Sequence, residues 1–512
     1  MKDSSELEIN TSLTRIAKSS MIVFIGIFLS KLVTYIYRIV IARYFGPEVY
    51  GIFSLAFIVL GFFTAFSTVG LIDGLGRFLS FYRGKKQSDK IKYLFRKITI
   101  ILMISCSISG ILLFLFSRFI SVTIFHNETM IIFLKAFSIL IPLTILTHIF
   151  LTSIRAFEKV GWYSFIWNIL QNVVKLSVLG VLIFFGMKEN AIIFSYILGV
   201  LSMLMVSYLV CKYSVKEVFG LSNLKKETKI EITREVFSYS WPFMFSGIIT
   251  TIFYWTDSSL IGYFMNPTEV GLYNAAYPLM SLITLIPVMF SQLFFPLITK
   301  YFSQKKHSLI KEVSKQVGKW IFIFGLPIFI ILILFPGAII NLFFGREYIA
   351  VQNVLRILAI GGMFSAFTFL LTDLMSMAGK SKLIFFNILV TSIINVILDI
   401  ILIKRYGIEG AAIATTSVLI IWTLALFIEV KHYVHFVPLR KKMMRIFFVS
   451  LIPTAVLLII KQLVPINTLS LILLGIFFVL FYFLLVFLTS LDKNDFFVLK
   501  MIKGKFSSSS GV

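Results

Sequence analysis

Long apolar stretches alternate with short polar connections along nearly the whole chain. A bilayer core about 30 Å thick needs roughly 20 apolar residues per helix, and stretches of that length recur from residue 20 to residue 488. The pattern therefore predicts an all-α, polytopic membrane protein with about 14 transmembrane helices. The predicted spans are Ser20–Ala42, Gly51–Leu71, Ile98–Phe116, Met130–Ser153, Tyr163–Phe185, Ala191–Val210, Ser240–Tyr263, Gly271–Leu297, Trp320–Phe343, Val351–Met377, Leu383–Ile403, Gly410–Glu429, Ile446–Leu463 and Leu469–Leu488.

Two passages of the first half recur in the second half. The stretch YRIVIARYFGPEVYGIFSLAF, from Tyr37, matches YWTDSSLIGYFMNPTEVGLYNAAY, from Tyr254. The stretch WNILQNVVKLSVLGVLIFFGMKENA, from Trp167, matches FNILVTSIINVILDIILIKRYGIEGAA, from Phe386. Six predicted helices separate the corresponding segments, and an even number preserves the orientation in the membrane. We therefore predict two pseudo-symmetric six-helix lobes, related by an axis along the membrane normal, plus two C-terminal helices.

The repeat also sets the predicted divisions of the chain. Residues 1–212 form an N-lobe with helices 1–6, residues 213–238 a cytoplasmic linker, residues 239–432 a C-lobe with helices 7–12, residues 433–490 helices 13 and 14, and residues 491–512 a cytoplasmic tail. Folds of this kind place their substrate site near the membrane midplane, between the halves, and work by rocking one half against the other.

The composition agrees with a membrane protein, and the charge distribution sets its orientation. The 512 residues are 59% hydrophobic and only 14% charged, with a mean hydropathy of +0.97. Lys and Arg cluster in every second connection, for example between residues 77 and 97, and are sparse in the alternate connections. This positive-inside pattern explains the formal net charge of +25 without a nucleic acid partner. It predicts a multi-pass protein of the cytoplasmic membrane with both termini in the cytoplasm.

The sequence gives no indication of a metal or a cofactor. Cys106 and Cys211 are too few for a disulfide framework. His432 and His435 lie about one helical turn apart, but in a basic connection without a nearby carboxylate ligand. We predict no catalytic residue, no metal and no cofactor.

Polar and charged side chains inside the predicted spans are the candidate functional residues, because a charge at the centre of a membrane helix costs about 2.5–3.5 kcal/mol. Lys31, Tyr35 and Arg38 share one face of the first helix, and Lys175 lies near the middle of the fifth. Such charges either line a water-filled cavity or reach the interface by snorkelling. The predicted substrate-binding residues are Lys31, Tyr35, Arg38, Asn168, Gln171, Asn172, Lys175, Tyr254, Asn387, Thr391 and Asn395.

Asp257 is the charge with the least obvious role. The repeat aligns it with Arg38 of the first half, which places the two at equivalent depths on opposed helices. Three interpretations remain open: a structural ion pair, a gate that closes in one state only, or a coupling site for H⁺ or Na⁺. Asp399, four residues beyond Asn395, either continues the polar stripe of its helix or faces the outer aqueous edge.

Four motifs resemble one known family. They are ARYFGPEVYG from Ala42, TDSSLIGYF from Thr256 with the EVGLYNAAY that follows it, FGREYIAVQNVLRILA from Phe344 and YGIEGAAIATT from Tyr406. In this order they resemble the polysaccharide-transporter branch of the multidrug/oligosaccharidyl-lipid/polysaccharide exporter superfamily. That branch includes Wzx-type flippases and is related to the lipid II flippases. The resemblance covers essentially the whole chain.

The resemblance implies a flippase, and not an enzyme, that moves a polyprenyl-pyrophosphate-linked oligosaccharide or polysaccharide precursor across the cytoplasmic membrane by alternating access. It also implies that the helix pair 446–488 helps to form a groove for the lipid tail. The implied partners are the lipid-linked glycan, membrane lipids, H⁺ or Na⁺ as a coupling ion, and glycan biosynthesis enzymes. Three alternatives remain open: a drug/cation antiporter of the same superfamily, a membrane enzyme that polymerises or ligates lipid-linked glycans, and a non-transporting scaffold.

Overall fold

The computed structural model describes residues 2–463, 465 and 467–490, with side chains from residue 29 onward except those of residues 246 and 293. The predicted cytoplasmic tail, residues 491–512, lies outside the described residues. Every regular element of the described part is helical, which confirms the all-α prediction. The α-helices are α1 (Lys2–Thr68), α2 (Leu71–Gly84), α3 (Ser88–Arg118), α4 (Met130–Ala156), α5 (Val160–Ser164), α6 (Gln171–Phe184), α7 (Asn190–Ser214), α8 (Lys226–Phe264), α9 (Pro267–Ser303), α10 (His307–Leu334), α11 (Pro336–Phe343), α12 (Gln352–Met377), α13 (Ser381–Tyr433), α14 (Lys441–Leu463) and α15 (Thr468–Ser490).

Twelve helices among the described residues are long and apolar enough to cross a membrane. A π-helical segment, Phe165–Leu170, joins α5 to α6, so that together they form one of these twelve. Two of the twelve, α1 and α13, are each interrupted by a glycine with positive φ, Gly46 (φ 81°, ψ 176°) and Gly407 (φ 57°, ψ −138°). Divided at these glycines, the twelve helices give the fourteen spans predicted from hydropathy.

The sequence explains the first kink. Gly46 adopts a positive φ at little cost because it has no Cβ atom, and it precedes Pro47, which disfavours the helical region for the residue before it. The helix restarts at Pro47 because a first-turn position needs no backbone N–H donor. One continuous chain segment therefore supplies the first two spans.

The chain forms two compact units, one made of Met1–Asn274 with Ser392–Ala411 and the other of Ala275–Thr391 with Ala412–Val512. The two pseudo-symmetric six-helix lobes, and the divisions drawn from them, stay a prediction.

In the first unit, the two repeated motifs lie against each other. A Cβ atom on Gly51 would overlap the carbonyl oxygen of Pro267, and a Cβ atom on Gly271 would overlap the carbonyl oxygen of Pro47. The contact is reciprocal, as expected for two equivalent segments that cross near a twofold axis. Glycine at both positions allows the backbones of α1 and α9 to approach this closely, which is the usual role of small residues between membrane helices. The recurrence of Pro and Gly at matched positions in both halves thus has a packing reason.

In the second unit, two lysines form hydrogen bonds between the C-terminal helix pair and α10. Lys319 of α10 is fully buried, and its Nζ donates to the carbonyl of Ser490, the last residue of α15, at 2.9 Å. Lys461, near the end of α14, donates to the carbonyl of Leu334, the last residue of α10, at 2.7 Å. Each ammonium group lies where the helix dipole is negative and the carbonyls lack helical partners, so each contact stabilises a helix terminus.

Candidate transport site

Three basic side chains of the first unit form a cationic cluster, which we define as Lys31, Arg38 and Lys175. Their degree of burial rises along the series, since Lys31 is exposed, Arg38 is half-buried and Lys175 is only 6% exposed. The charge of Arg38 acts on both lysines, so the three lie within electrostatic range of one another. The ion pairs of the described residues include none of the three. The cluster therefore concentrates positive charge at a partly buried place, where an anion would be the favourable complement.

Lys175 lies between two tyrosine rings. Its Nζ is 5.1 Å from the ring centroid of Tyr37, on α1, and 5.0 Å from that of Tyr196, on α7. Both rings are almost fully buried, so the ammonium is stabilised by cation–π contacts in a desolvated place. Gly199 leaves room for the Lys175 side chain, since a Cβ atom at residue 199 would lie 2.5 Å from Cγ of Lys175. Tyr37 is fixed in turn by a hydrogen bond of 3.0 Å between its hydroxyl and that of Ser195.

The amide stripe predicted beside Lys175 lies inside the first unit. Asn172 donates to the hydroxyl of Ser30, on α1, at 3.0 Å and to the carbonyl of Asn168 at 3.0 Å. Asn168 donates to the hydroxyl of Ser164 at 3.1 Å, and both asparagines are buried. Gln171 is half-buried. The bond between Asn172 and Ser30 joins the fifth span to the helix that carries Lys31 and Arg38.

A second polar cluster of the first unit, the carboxyl cluster, consists of Asp257, Tyr273, Asn395 and Asp399. Tyr273 donates to Oδ2 of Asp257 at 2.5 Å, and Asp257 is 8% exposed. The charge of Asp257 acts on Asp399, so the two carboxyl groups are neighbours. Asp399 is fully buried, which is the outcome expected if it continues the stripe of its helix and not if it faces the outer edge. Apart from the contact with the carboxyl group of Asp257, neither Asp399 oxygen has a hydrogen-bond partner among the described residues, and the Asn395 amide nitrogen also lacks one there.

Hydrogen bonds link the two clusters. Arg38 bonds to the hydroxyl of Tyr50, which donates to the carbonyl of Asn274 at 3.2 Å. Asn274 donates to the hydroxyl of Ser258, the residue after Asp257, at 3.0 Å. Arg38 and Asp257 are thus connected through Tyr50, Asn274 and Ser258. The three interpretations of Asp257, namely a structural ion pair with Arg38, a gate that closes in one state only and a coupling site for H⁺ or Na⁺, all stay predictions.

Of the remaining predicted residues, Asn387, Thr391 and Tyr254 lie outside the two clusters. Asn387 donates to both carboxylate oxygens of Glu429, at 3.0 and 2.9 Å, and belongs to the second unit. Thr391, in the same unit, donates to the carbonyl of Asn387 at 2.6 Å. Tyr254, in the first unit, is 53% exposed. Tyr35 acts electrostatically on Tyr50, close to Arg38.

The side chains of the two clusters that sequence reasoning missed are those of Tyr196 and Tyr273. Tyr196 and Tyr273 lie on other helices than the charges they contact, so no helical periodicity connects them. For Asp399 the spacing of four from Asn395 was the available signal. Among the described residues, no group of three or more His, Cys, Asp or Glu side chains could hold a metal ion.

Comparison with known sequences identifies two family models and several relatives that the chain matches. Residues 16–302 match the model of a family described as "Polysaccharide biosynthesis protein", and residues 242–401 match the MatE model. A putative O-antigen transporter of Shigella flexneri is 24% identical over 73% of this chain and 88% of its own length. The probable low-salt glycan biosynthesis flippase Agl15 of Haloferax volcanii is 26% identical over 61% of this chain and 64% of its own length.

Comparison with solved structures gives the fold. The lipid II flippase MurJ, in an inward closed conformation, superposes with a TM-score of 0.72 at 18% identity, covering 90% of this chain and 98% of that one. An inward-facing transporter of the multidrug resistance MATE family superposes with a TM-score of 0.63 at 12% identity, covering 79% of this chain and 94% of that one.

The twelve long apolar helices of the described residues and the fold shared with these structures define a multi-pass membrane protein. The chain belongs to the polysaccharide biosynthesis protein family, whose model matches more than half of its length. The resemblance found in the sequence motifs is thereby confirmed.

Proposed function

We propose that the protein is a flippase that moves a lipid-linked oligosaccharide or polysaccharide precursor, carried on polyprenyl pyrophosphate, from the inner to the outer leaflet of the cytoplasmic membrane by alternating access. The names of the relatives support this proposal, since they include a putative O-antigen transporter, a probable low-salt glycan biosynthesis flippase and a probable flippase. In this orientation both termini face the cytoplasm. No bond is made or broken, so the protein acts as a transporter and not as an enzyme.

The observation that carries the proposal is the cationic cluster. A pyrophosphate cannot cross hydrocarbon without compensation, because desolvating its charges is prohibitively costly. Lys31 and Arg38 offer charge-assisted hydrogen bonds, which are shorter and roughly twice as strong as neutral ones. Lys175 adds a third charge, held in place by Tyr37 and Tyr196. A drug/cation antiporter would need the opposite sign here, and the cluster therefore favours the flippase over that alternative.

An apolar cavity in the second unit suits the lipid tail. Its volume is about 440 Å³, and almost all of its lining is apolar. The walls come from α9, α10, α11, α14 and α15, for example through Leu282, Ile331, Leu342, Leu457 and Ile472. These helices include the C-terminal pair that distinguishes this chain from a twelve-helix exporter. We assign the groove to the polyprenyl chain, whose burial there replaces contact with bulk lipid.

The carboxyl cluster suits a coupling ion, H⁺ or Na⁺. Two buried carboxyl groups side by side need either a proton on one of them or a cation between them, since desolvation and like-charge repulsion both oppose two bare charges. The amide of Asn395 and the hydroxyl of Tyr273 add polar groups of the kind that complete such a site. Binding or release of the ion would act on Arg38 through Tyr50, Asn274 and Ser258.

The proposal is tested in proteoliposomes that contain a fluorescent polyprenyl-pyrophosphate glycan and a membrane-impermeant quencher. In vesicles that contain the wild-type protein, the fluorescent glycan of the inner leaflet should move to the outer leaflet, where the quencher removes its fluorescence. Lys31→Gln and Arg38→Gln should each slow this at least tenfold, from the loss of a charged hydrogen bond of about 1.5–3 kcal/mol. Lys97→Gln, which removes an exposed charge outside the cluster, is the matched control. A wild-type protein that moves an organic cation and not the glycan would support the antiporter.

A further inference from the structure

A second polar cavity of the first unit lies apart from both clusters. It has a volume of about 500 Å³, within the usual range for small-molecule sites, and its lining is mostly polar. Its walls are α2, the end of α4, and the start of the fifth span from Tyr163 to Trp167. The connections between spans 2 and 3 and between spans 4 and 5 meet here, on the side that the basic residues predict to be cytoplasmic.

Two guanidinium groups face this cavity. Arg77 lies on α2 with its Cζ 3.9 Å from the ring centroid of Tyr239, and Arg155 lies near the end of α4 with its Cζ 5.6 Å from that of Tyr163. Stacking occupies the face of a guanidinium and leaves its N–H edge available for bidentate bonds to an oxyanion. Neither arginine forms an ion pair among the described residues.

A carboxyl group and aromatic rings complete the lining. Among the described residues, Asp73 is the only carboxyl side chain of the cavity wall, so two guanidinium groups face one acid. Partial burial raises the pKa of Asp73, and the charge of Arg155 opposes that rise. Trp167 is 38% exposed and stands edge-on to His148, with ring centroids 5.0 Å apart. An indole face next to charged hydrogen-bonding groups suits a sugar ring that carries an anionic substituent.

The walls of the cavity are held in register. Arg83, at the end of α2, donates to the carbonyl of Ala156, the last residue of α4, at 3.1 Å. Gly76 allows α2 to approach α4, since a Cβ atom there would lie 3.1 Å from Cγ2 of Thr152. The position of Arg77 relative to Arg155 is therefore set by the packing of two helices and not by a loose loop.

We propose that this cavity binds a phosphorylated saccharide: Arg77 and Arg155 hold the phosphate, Trp167 packs against the sugar ring, and Asp73 accepts hydroxyl hydrogen bonds. The inference rests on the proposed function and deepens it, because the glycosyl phosphate of a lipid-linked glycan would engage this cavity before it reaches the cationic cluster. The cavity then selects the headgroup, and the cluster carries its charge across the membrane.

Isothermal titration calorimetry on the purified full chain tests the proposal with three probes: glucose 1-phosphate, glucose and inorganic phosphate. Glucose 1-phosphate should bind at least tenfold more tightly than either of the others. Arg77→Gln and Arg155→Gln should each weaken it at least tenfold, and Trp167→Leu should lower its affinity to that of inorganic phosphate. Arg96→Gln removes an exposed charge of the same region outside the cavity and should change nothing.

Arg155→Lys distinguishes a loss of binding from a loss of folding, because it keeps the positive charge and loses the bidentate geometry. It should unfold at the wild-type temperature and still bind glucose 1-phosphate more weakly. The inference is overturned if wild-type protein does not bind glucose 1-phosphate, if Arg96→Gln weakens binding as much as Arg155→Gln, or if adenosine diphosphate binds as tightly without any effect of Trp167→Leu.

The two proposals fail separately. Wild-type flipping of the glycan by a protein that binds no glucose 1-phosphate would remove the cavity assignment and leave the flippase. Specific binding of glucose 1-phosphate by a protein that flips no glycan would remove the flippase proposal and leave the assignment of the cavity.

Discussion

The backbones of α1 and α9 are in close contact where the two helices cross at Gly51 and Gly271. A Cβ atom on Gly51 would overlap the carbonyl oxygen of Pro267 and lie 2.6 Å from its carbonyl carbon and 2.9 Å from the nitrogen of Gly271. The neighbours are backbone atoms, so no side-chain rotation relieves the overlap. Gly51→Ala must therefore push the two helices apart at this point.

The cost follows from the geometry. Overpacking of a tight contact costs about 1–3 kcal/mol, which shifts a conformational equilibrium by roughly 5- to 150-fold. Because the contact joins the two repeated motifs at their predicted outer ends, Gly51→Ala should favour a conformation in which these ends are separated. Gly271→Ala should act alike, since the contact is reciprocal.

The assay is pulsed electron paramagnetic resonance between spin labels at Tyr44 and Tyr263, the matched exposed tyrosines of the two repeats, after replacement of Cys106 and Cys211. Gly51→Ala should broaden or lengthen the distance distribution. Gly61→Ala is the control, because a Cβ atom there meets nothing within 4 Å, so it should leave the distances unchanged. Wild-type distances in Gly51→Ala, with a thermal stability equal to that of Gly61→Ala, would refute the close-contact reasoning.

Three further predictions concern other parts of the molecule. Asp399→Asn should make glycan flipping insensitive to an imposed H⁺ or Na⁺ gradient; a gradient dependence equal to wild type would exclude Asp399 from coupling. Gly475→Leu should fill part of the apolar cavity, since a Cβ atom there meets nothing within 4 Å, and should slow the flipping of long polyprenyl carriers more than that of short ones; equal slowing would argue against a tail groove. Lys461→Met should lower the free energy of unfolding by about 1–2 kcal/mol through loss of its bond to the Leu334 carbonyl, as measured in a thermal melt, whereas an unchanged melt would mean that the contact does not stabilise α10.

The spans and their kinks are predictable from sequence because both depend on local properties. Hydropathy over about 20 residues identifies a membrane helix, and Gly46 followed by Pro47 marks a break. The stripe of Asn168, Asn172 and Lys175 is equally local, because helical periodicity places its members on one face.

Contacts between segments that are far apart in the chain could not be predicted from local sequence properties. Nothing near Lys175 in the sequence indicates that Tyr37 and Tyr196 enclose its ammonium group, since they approach from α1 and α7. The repeat aligns Gly51 with Gly271, but only packing brings each against the proline carbonyl of the other. Asp399 lies near the end of its predicted span, and its burial depends on the neighbouring Asp257 helix.

If the cationic cluster binds a pyrophosphate, the charge of the headgroup must increase the affinity of the ligand. Binding of polyprenyl pyrophosphate and of the uncharged polyprenol with the same tail is compared in wild-type protein and in Lys31→Gln/Arg38→Gln. The pyrophosphate should bind wild type at least tenfold more tightly than the alcohol, and the double variant should bind the two equally. An advantage of the pyrophosphate that survives in the double variant would contradict the account.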